Sequence, residues 1–496
     1  YLTFNFFIES LLAGLCLFLL LVYDALIRLR GTSGTLPGKD GFPLVGCFPM
    51  LGKHKERMLM KWSSSGLGPV FYARLGASRV LVLNGYDVIK EALLQRPLAM
   101  AGRVESDLIQ ELYDGKHGLI QLDHGPLWKE QRKFGQTTLG GLGMGKRSFE
   151  VTIVDEFNCF ATTLENELNM NEPKGVNLTR MLRLYAANVI SSLIFNQTFE
   201  SSWFAENDVP KHTARFLILL MYVPGLKNLP FVRQQLAITT RTRLDKVKIF
   251  RTLVEEHRKS RDPNEPRDFI DCYLNVLAKN KGENSSFTEK QLLYYIADLF
   301  LAGTETSATT NAWALLLVLK NPEVKRKLRA ELDVVGKQPT LVSSNDECRM
   351  PYTRAVMQEV FRFRPAVPFN IIARKTTSEL ELKGYKIPAG MPVIANLWSV
   401  HHDPVTWAPD PEIFRPGRHL DDDGNFVPSN HVIPFSVGAR SCIGRNLAKN
   451  ELFVFITSVL RRFDLELADG CHVGDISGDS GMLLHPPKYK VKGSVK

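Results

Sequence analysis

The sequence predicts a mainly α-helical protein with small β-sheets, formed as a single large helical domain behind an N-terminal transmembrane anchor. Helix-period apolar patterns follow one another through the middle of the chain, and the longest runs from Thr288 to Asn321. Short β-type stretches bounded by glycine and proline lie towards both ends. No composition shift, repeat or long linker interrupts residues 40–490, so we expect one domain although the chain has 496 residues.

Composition and charge exclude several classes of protein. The chain is 44% hydrophobic and 23% charged, which is ordinary for a globular protein. Its net charge of +10 is diffuse, so it favours an acidic protein partner or anionic lipid over nucleic acid. The seven cysteines contain no CxxC pair, which argues against a disulfide scaffold or zinc finger and for a domain that faces the cytosol.

Residues 4–23 are apolar enough to span a bilayer as a helix. Arg28 and Arg30 follow this run and no basic residue precedes it, so the bulk of the chain should be cytoplasmic. A cleaved secretory signal is the alternative, but the long run without a charged leading segment favours an uncleaved anchor. We therefore predict an anchor over 1–27, a basic and Pro/Gly-rich linker over 28–46 and a catalytic domain over 47–496.

The elements can be predicted in order along the chain. Val70–Leu75 and Val80–Leu83 form a hairpin, and residues 85–94 form a short helix. A loop from about 96 to 123 precedes the helical middle of the chain. Helices are predicted over 126–139, 148–170, 178–195, 208–221 and 231–260.

The longest predicted helix carries a polar interruption. Thr288 and Gln291 have the spacing of a capping box, and Pro322 ends the pattern. The segment Ala302-Gly303-Thr304-Glu305-Thr306 is locally unfavourable in an otherwise apolar helix. Such conflicts concentrate at functional sites, although an exposed polar face is the alternative.

The remaining elements follow Pro322. One helix runs to about 335 and another from 350 to 364, and short strands near 380–387 and 392–396 predict a small sheet. Residues 402–430 form an irregular loop, and a helix over 444–462 precedes a β-like tail. His401 and His402 look like a metal pair, but neighbours in an extended segment point apart, so we set a metal site aside.

Four motifs occur at separate places along the chain. They are Trp128-x-x-x-Arg132, Ala302-Gly303-Thr304-Glu305-Thr306, Glu359-x-x-Arg362 with Arg418, and Phe435-x-x-Gly438-x-Arg440-x-Cys442-x-Gly444. In this order they resemble the motifs of the cytochrome P450 haem-thiolate monooxygenases, specifically the microsomal type of the family 2 clan. The resemblance covers essentially the whole chain.

The resemblance implies haem b (iron protoporphyrin IX) with Cys442 as the axial thiolate, a ligand that favours O–O bond cleavage. It implies that Arg440, Trp128 and Arg132 meet the haem propionates and that Phe435 packs beside the sulfur. Gly438 permits a tight turn, and Gly444 allows the following helix to approach the ring. After Pro368-Phe369 the family often has a basic residue that meets a propionate. In this chain Arg374 comes later, and the predicted site does not include it.

Two further groups complete the predicted site. Thr306 and Glu305 should be catalytic, delivering protons during oxygen activation, while Ala302 and Gly303 leave room over the porphyrin. Glu359, Arg362 and Arg418 should form a buried structural triad that locks the loop presenting Cys442.

The resemblance also implies partners and location. Electrons should come from NADPH through a flavin-containing NADPH-cytochrome P450 reductase, with cytochrome b5 as a further partner, and Lys129 and Lys133 suit an acidic donor. The protein should lie on the endoplasmic reticulum membrane with its catalytic domain on the cytoplasmic face. It should hydroxylate or epoxidise a lipophilic small molecule: a steroid, fatty acid, terpenoid or xenobiotic. The alternatives are a haem-thiolate isomerase or dehydratase, which tends to lack the threonine, and a non-catalytic haem-binding sensor or carrier.

Overall fold

The computed structural model describes residues 22, 25, 36–106, 108, 110, 115–172, 174–200, 220–279, 285–335, 343–370, 374–471 and 473–496. The predicted anchor over 1–27, apart from residues 22 and 25, and most of the predicted helix over 208–221 therefore lie outside the described residues. Within the described part, no helix combines the length and the apolar character needed to cross a membrane.

The described chain is mainly helical, as predicted. The helices are α1 Phe48–Leu51, α2 Lys55–Trp62, α3 Tyr86–Lys90, α4 Pro126–Gly141, α5 Arg147–Met170, α6 Thr179–Phe195, α7 Pro230–Ser260, α8 Phe269–Lys279, α9 Glu289–Lys320, α10 Pro322–Val335, α11 Pro351–Phe363, α12 Leu397–His401 and α13 Arg445–Arg462. The predicted helix over 85–94 is α3 continued by a π-helical turn over Glu91–Gln95.

The strands form one larger sheet and several small ones. They are β1 Gly38–Lys39, β2 Val70–Leu75, β3 Ser78–Asn84, β4 Gly102–Arg103, β5 Arg374–Lys375, β6 Leu380–Leu382, β7 Tyr385–Ile387, β8 Pro392–Asn396, β9 Phe463–Leu467, β10 Asp479–Ser480, β11 Leu484–His485 and β12 Val491–Val495. A six-stranded sheet has the order β1-β2-β3-β8-β5-β4, and the pairs β6-β7, β9-β12 and β10-β11 stand apart.

The predicted hairpin is confirmed, with Val70 opposite Leu83 and Leu75 opposite Ser78. The strand predicted at 392–396 does not pair with its neighbour in the sequence. Instead β8 runs parallel to β3, with Leu81 opposite Val393. Sequence periodicity identifies strands but not their partners, because pairing over long separations is decided by packing.

Helix α9 is the axis of the molecule. Thr288 caps it as predicted, since its Oγ1 accepts a hydrogen bond from the Gln291 backbone N–H at 3.1 Å. The helix contains 32 residues, and at 1.5 Å per residue it extends ~48 Å. It packs against α6, α7 and α13, and its buried Trp313 donates to the Leu484 carbonyl at 2.7 Å. The main hydrophobic core surrounds it, and a second core lies between α3 and the larger sheet.

Candidate active site

The segment from Pro434 to Gly444 forms a tight loop that ends at the N-terminus of α13. The Cys442 backbone N–H donates to the Phe435 carbonyl at 3.0 Å, and the Ser441 N–H donates to the Gly438 carbonyl at 3.0 Å. Gly438 has a φ of +77°, and a Cβ on it would lie 1.8 Å from the Leu93 carbonyl oxygen. A glycine is therefore required for both the backbone conformation and the close approach.

The Cys442 side chain is accessible to solvent, although protein atoms surround most of it. Burial raises the pKa of its thiol, while the Gly444 N–H and the nearby Arg132 and Arg445 guanidinium groups lower it by less. The protein alone thus leaves this sulfur protonated, and a bound metal ion would supply the charge that holds a thiolate. Phe435 packs edge-on against Phe361, with ring centroids 5.2 Å apart.

A cluster of cations lies beside this loop. The guanidinium of Arg440 stacks over the Trp128 ring at 4.1 Å, and that of Arg132 lies 5.5 Å from the same ring. Arg132 donates to the Ser441 carbonyl at 2.7 Å, and Arg440 donates to the Ala101 and Leu122 carbonyls at 2.9 Å and 2.6 Å. The structure thus brings together the three residues predicted to meet the propionates and ties them to the cysteine loop.

Arg374 and Arg103, which we did not include in the predicted site, join this cluster. Burial and then the positive charges of Arg103 and Arg374 lower the pKa of Arg440 to about 8. Burial and the charges of Arg103 and Arg132 lower the pKa of Arg374 to about 9. The sequence did not indicate that Arg103 and Arg374 lie close together. They are far apart in the chain, and the pairing of β4 with β5 brings them together.

The cluster also contains buried donors without partners. Neither the indole Nε1 of Trp128 nor the Nε of Arg374 has a hydrogen-bond partner within the described protein, and both residues are almost fully buried. Buried donors and repelling cations are costly unless an acceptor neutralises them. A haem, with two anionic propionates beside a thiolate-ligated iron, fits both features, and Cys442, Trp128, Arg132, Arg374 and Arg440 are the residues that would hold it.

The polar interruption of α9 lies at a partly exposed stretch of this helix. Leu301 is 52% exposed and Ala302 is also exposed, although most of α9 is buried. The Thr306 hydroxyl donates back to the Ala302 carbonyl at 2.6 Å, within the same helix. Ala302 and Thr306 therefore lie on one face of α9, one turn apart.

Glu305 and Gly303 are placed differently from Thr306. Glu305 forms an ion pair with Arg183 of α6, with its Oε1 2.8 Å from Nε and 2.7 Å from Nη2. A Cβ on Gly303 would lie 2.8 Å from the Cγ1 of Ile190, so this glycine permits close packing of α9 on α6. Gly303 therefore faces α6 and does not provide the room that we predicted for it over a porphyrin, whereas Ala302 is exposed.

The structure brings together Glu359, Arg362 and Arg418. Glu359 accepts from the Arg362 Nε at 2.7 Å and Nη2 at 2.8 Å, and from the Arg418 Nε at 3.1 Å. His419 is a fourth member that the sequence did not indicate, with its Nε2 2.9 Å from Glu359 Oε2. Arg362 extends the cluster to the carbonyls of His401 and Pro411, which lie before the cysteine loop.

The adjacent histidines do not form a metal pair. They lie at the end of the short helix α12 and not in an extended segment, so our prediction of their backbone was wrong. His402 stacks on Trp398 at 3.5 Å, and the His401 Nε2 accepts from the Ile433 N–H at 2.9 Å. Burial lowers the pKa of His401 to about 3, so it is a neutral core residue.

Known proteins are similar to this chain over nearly its whole length. The family model described as cytochrome P450 matches residues 36–493. The chain is 35% identical to cytochrome P450 2C20 of Macaca fascicularis, over 96% of this chain and 97% of that protein. It is 34% identical to cytochrome P450 2C5 of Oryctolagus cuniculus (97% and 98% covered) and 34% identical to cytochrome P450 2C8 of Homo sapiens (96% and 97% covered).

Proposed function

Because the chain belongs to the cytochrome P450 family of haem-thiolate monooxygenases, we propose a role in monooxygenation for each residue of its site. The enzyme uses haem b and electrons that originate from NADPH, and its reaction inserts one oxygen atom of O₂ into a substrate. One observation supports this assignment of residues. Beside Cys442, buried donors without hydrogen-bond partners lie together with arginines whose positive charges repel one another.

Cys442 ligates the iron in this proposal. When bound, the haem would supply O₂ activation, and the electron-donating Cys442 thiolate would favour O–O bond cleavage. The loop fixes the sulfur at the N-terminus of α13, where the helix dipole and the Gly444 N–H favour negative charge. Phe435 limits the access of water to the sulfur. Trp128, Arg132 and Arg440 bind the propionates, and Arg374 adds a further donor from the sheet.

Thr306 and Glu305 handle protons on the other side of the site. The Thr306 hydroxyl donates to the Ala302 carbonyl, and its oxygen can accept a hydrogen bond from a water molecule. Glu305 exchanges protons with solvent when it leaves Arg183, and its partial exposure of 26% permits that exchange. Arg183 is thus a positioning residue for Glu305.

Glu359, Arg362, Arg418 and His419 are structural. Their hydrogen bonds attach residues 401–419, which precede the cysteine loop, to α11. Removal of the carboxylate would strand buried positive charge in the segment that supports Cys442.

The family and the sequence support a proposal for the wider setting of the enzyme. We assign residues 1–27 to a membrane anchor, 28–46 to a linker and 47–496 to the catalytic domain, which lies on the cytoplasmic face of the endoplasmic reticulum. An NADPH-cytochrome P450 reductase supplies the electrons, and cytochrome b5 is a second donor. Lys129 and Lys133 are exposed on the same helix as Trp128, and their positive charges form a docking surface for an acidic electron-donor protein. The substrate is a lipophilic small molecule such as a steroid, fatty acid, terpenoid or xenobiotic.

The test is a spectrum followed by turnover. The purified holoenzyme should show the carbon-monoxide difference band of a thiolate haem, and Cys442→Ser should lose it. Cys159→Ser, which changes an exposed cysteine on α5, is the matched control and should keep the band. With reductase and a panel of lipophilic compounds, NADPH consumption should accompany oxygenated product. A histidine-type spectrum in the wild-type enzyme would refute the assignment of Cys442.

A further inference from the structure

A cavity of about 300 Å³ lies between α11, the start of α13 and the chain that leads into the cysteine loop. On α11 it is lined by Arg354, Met357, Gln358 and Phe361, whose spacing of three and four residues places them on one helical face. Residues between 426 and 437 and the first turns of α13 form its other walls. Phe435 is the one lining residue that the predicted haem site contains, so this cavity is a separate space.

The floor of the cavity is apolar and held in place. Met357, Phe361 and Ile433 are buried side chains that line it. The wall opposite α11 is attached to this helix, because the Gln358 Oε1 accepts from the Ser429 backbone N–H at 3.3 Å. An apolar floor of this kind suits the hydrocarbon part of a small ligand.

The rim of the cavity carries three cations. Arg445 and Lys449 are four residues apart on α13, and Arg354 stacks over the Phe426 ring at 4.3 Å. Among the described residues of the lining, Glu347 is the one acid, and its carboxylate lies 3.8 Å from the Arg354 guanidinium. Arg445 and Lys449 form no ion pair with another residue of the described chain. The lining therefore has a net charge of two positive.

These positive charges repel one another. Partial burial and then the charge of Arg445 lower the pKa of Lys449, while Glu347 raises it by less. A carboxylate at the rim would relieve this repulsion and accept charge-assisted hydrogen bonds from both Arg445 and Lys449. The apolar floor and the cationic rim together define a ligand with a hydrocarbon body and one carboxylate.

The volume of the cavity limits the length of such a ligand. At ~30 Å³ per water molecule in the liquid, about 300 Å³ corresponds to about ten water-sized groups. Octanoate, with about ten non-hydrogen atoms, is a ligand of this size. The cavity therefore fits a medium-chain fatty acid.

We propose that this cavity binds a medium-chain fatty acid in its ionised form. The chain packs against Met357, Phe361 and Ile433, and the carboxylate pairs with Arg445 and Lys449. The fatty acid is not a substrate at this site, because the cavity lies outside the predicted haem site and shares only Phe435 with it.

A bound acid would also affect electron transfer. The start of α13 lies beside the end of α4, the helix that carries Lys129 and Lys133, since a Cβ on Gly145 would lie 2.7 Å from the Asn446 Cβ. Arg445 and Lys449 thus extend the positive surface proposed for an acidic electron donor, and a bound carboxylate neutralises part of it. This effect on electron transfer rests on the proposed function, whereas the binding of the acid does not.

Binding is tested with the haem iron blocked. Equilibrium dialysis of octanoate against the ferric holoenzyme, saturated with an imidazole inhibitor that ligates the iron, should show saturable binding. Lys449→Gln should weaken this binding by about tenfold through the loss of one charge-assisted hydrogen bond. Lys386→Gln, which changes an exposed lysine on β7, is the matched control and should bind octanoate as the wild type does. Absence of saturable binding, or equal binding in Lys449→Gln and the wild type, would overturn the proposal.

The chemistry and the position of the ligand are tested in the same assay. Octanol has the same chain without the charge and should bind at least about tenfold more weakly than octanoate. Val432→Phe adds a ring to the lining of the cavity and should abolish octanoate binding, while the carbon-monoxide band is kept. Equal binding of octanol and octanoate, or full octanoate binding in a folded Val432→Phe, would contradict the proposed site. If Val432→Phe did not fold, Lys449→Gln and its control would decide the question.

The effect on electron transfer is measured separately. Octanoate should slow reduction of the haem iron by the reductase in the wild type but not in Val432→Phe. It should not change reduction by dithionite, which needs no docking surface. Equal slowing in the wild type and in Val432→Phe would overturn the competition, because octanoate would then act from the substrate side. If the reductase did not reduce the wild type at all, the proposed function would fail, while the dialysis would still report on the cavity.

Discussion

Replacing Glu359 by Gln should destabilise the holoenzyme by about 3 kcal/mol. Glu359 is fully buried and accepts from Arg362, Arg418, His419 and the Arg415 backbone N–H. Burial alone would raise the pKa of this carboxyl, but its hydrogen bonds, above all from Arg362, lower it from 4.5 to about 2. That difference corresponds to ~3.4 kcal/mol at 1.36 kcal/mol per unit. The loss of one partner of a buried pair costs a similar ~3–5 kcal/mol.

The chain contains its own control for this experiment. Glu323 and Arg326 have the same spacing on α10 and the same 2.7 Å contact as Glu359 and Arg362, but both are largely exposed. Exposed pairs contribute little because solvent screens them. The melting temperature and the midpoint of denaturation should therefore fall in Glu359→Gln and stay at the wild-type value in Glu323→Gln.

The pH dependence gives a second measurement. Because the pKa of Glu359 is lowered in the folded state, its stabilisation is complete above pH 4.5 and is lost as the pH falls towards about 2. Wild-type stability should therefore fall more steeply in acid than that of Glu359→Gln. If Glu359→Gln and Glu323→Gln were equally stable, the argument that burial makes this motif structural would be wrong.

Other perturbations test the loop and a remote helix junction. Gly438→Ala should lower haem retention and stability by more than ~2 kcal/mol, because a positive φ costs ~1–2 kcal/mol in any other residue and the Cβ would also meet Leu93. Gly424→Ala, at a φ of +81° with open space around it, should show only the backbone cost, and equal losses would refute the clash. At the junction of α7 and α8, burial lowers the pKa of His257, but the Asp268 carboxylate at 2.7 Å raises it by more, so the net pKa lies above 6.5. The stabilisation from His257 should be complete below pH 6.5 and be lost as the pH rises through the raised value. His257→Gln should remove this pH dependence of the melting temperature, and an unchanged profile would refute it.

Local physics explains which predictions from the sequence were confirmed. The cap at Thr288, the hairpin at Val70–Leu83 and the helices around them follow from residues close together in the chain. The Glu359 and Arg362 side chains meet because three-residue spacing places them on one helical face. The requirement for glycine at 438 is also local in part, since the turn needs a positive φ.

Long-range packing explains what the sequence left open. Arg103 and Arg374 reach the Trp128 cluster because β4 pairs with β5 across more than half of the chain. Gly303 meets Ile190, and Glu305 meets Arg183, because α9 packs on α6. Spacing along a helix tells which side chains share a face, but it does not tell which neighbour that face meets.

The sequence by itself determined the family, the cysteine loop and the residues that could serve a haem, because these depend on residue types at short, fixed spacings. Only the tertiary structure decided how deeply each of those residues is buried and which charged groups lie next to it. The two Glu-x-x-Arg pairs at 323 and 359 have the same geometry and differ in burial. Glu305 is paired with Arg183, whereas Glu451 has the uncharged Ser307 and Asn311 as hydrogen-bond partners in the core, where burial raises its pKa to about 8. The burial of a side chain and the charges around it depend on residues from distant parts of the chain, so a local sequence pattern does not predict them.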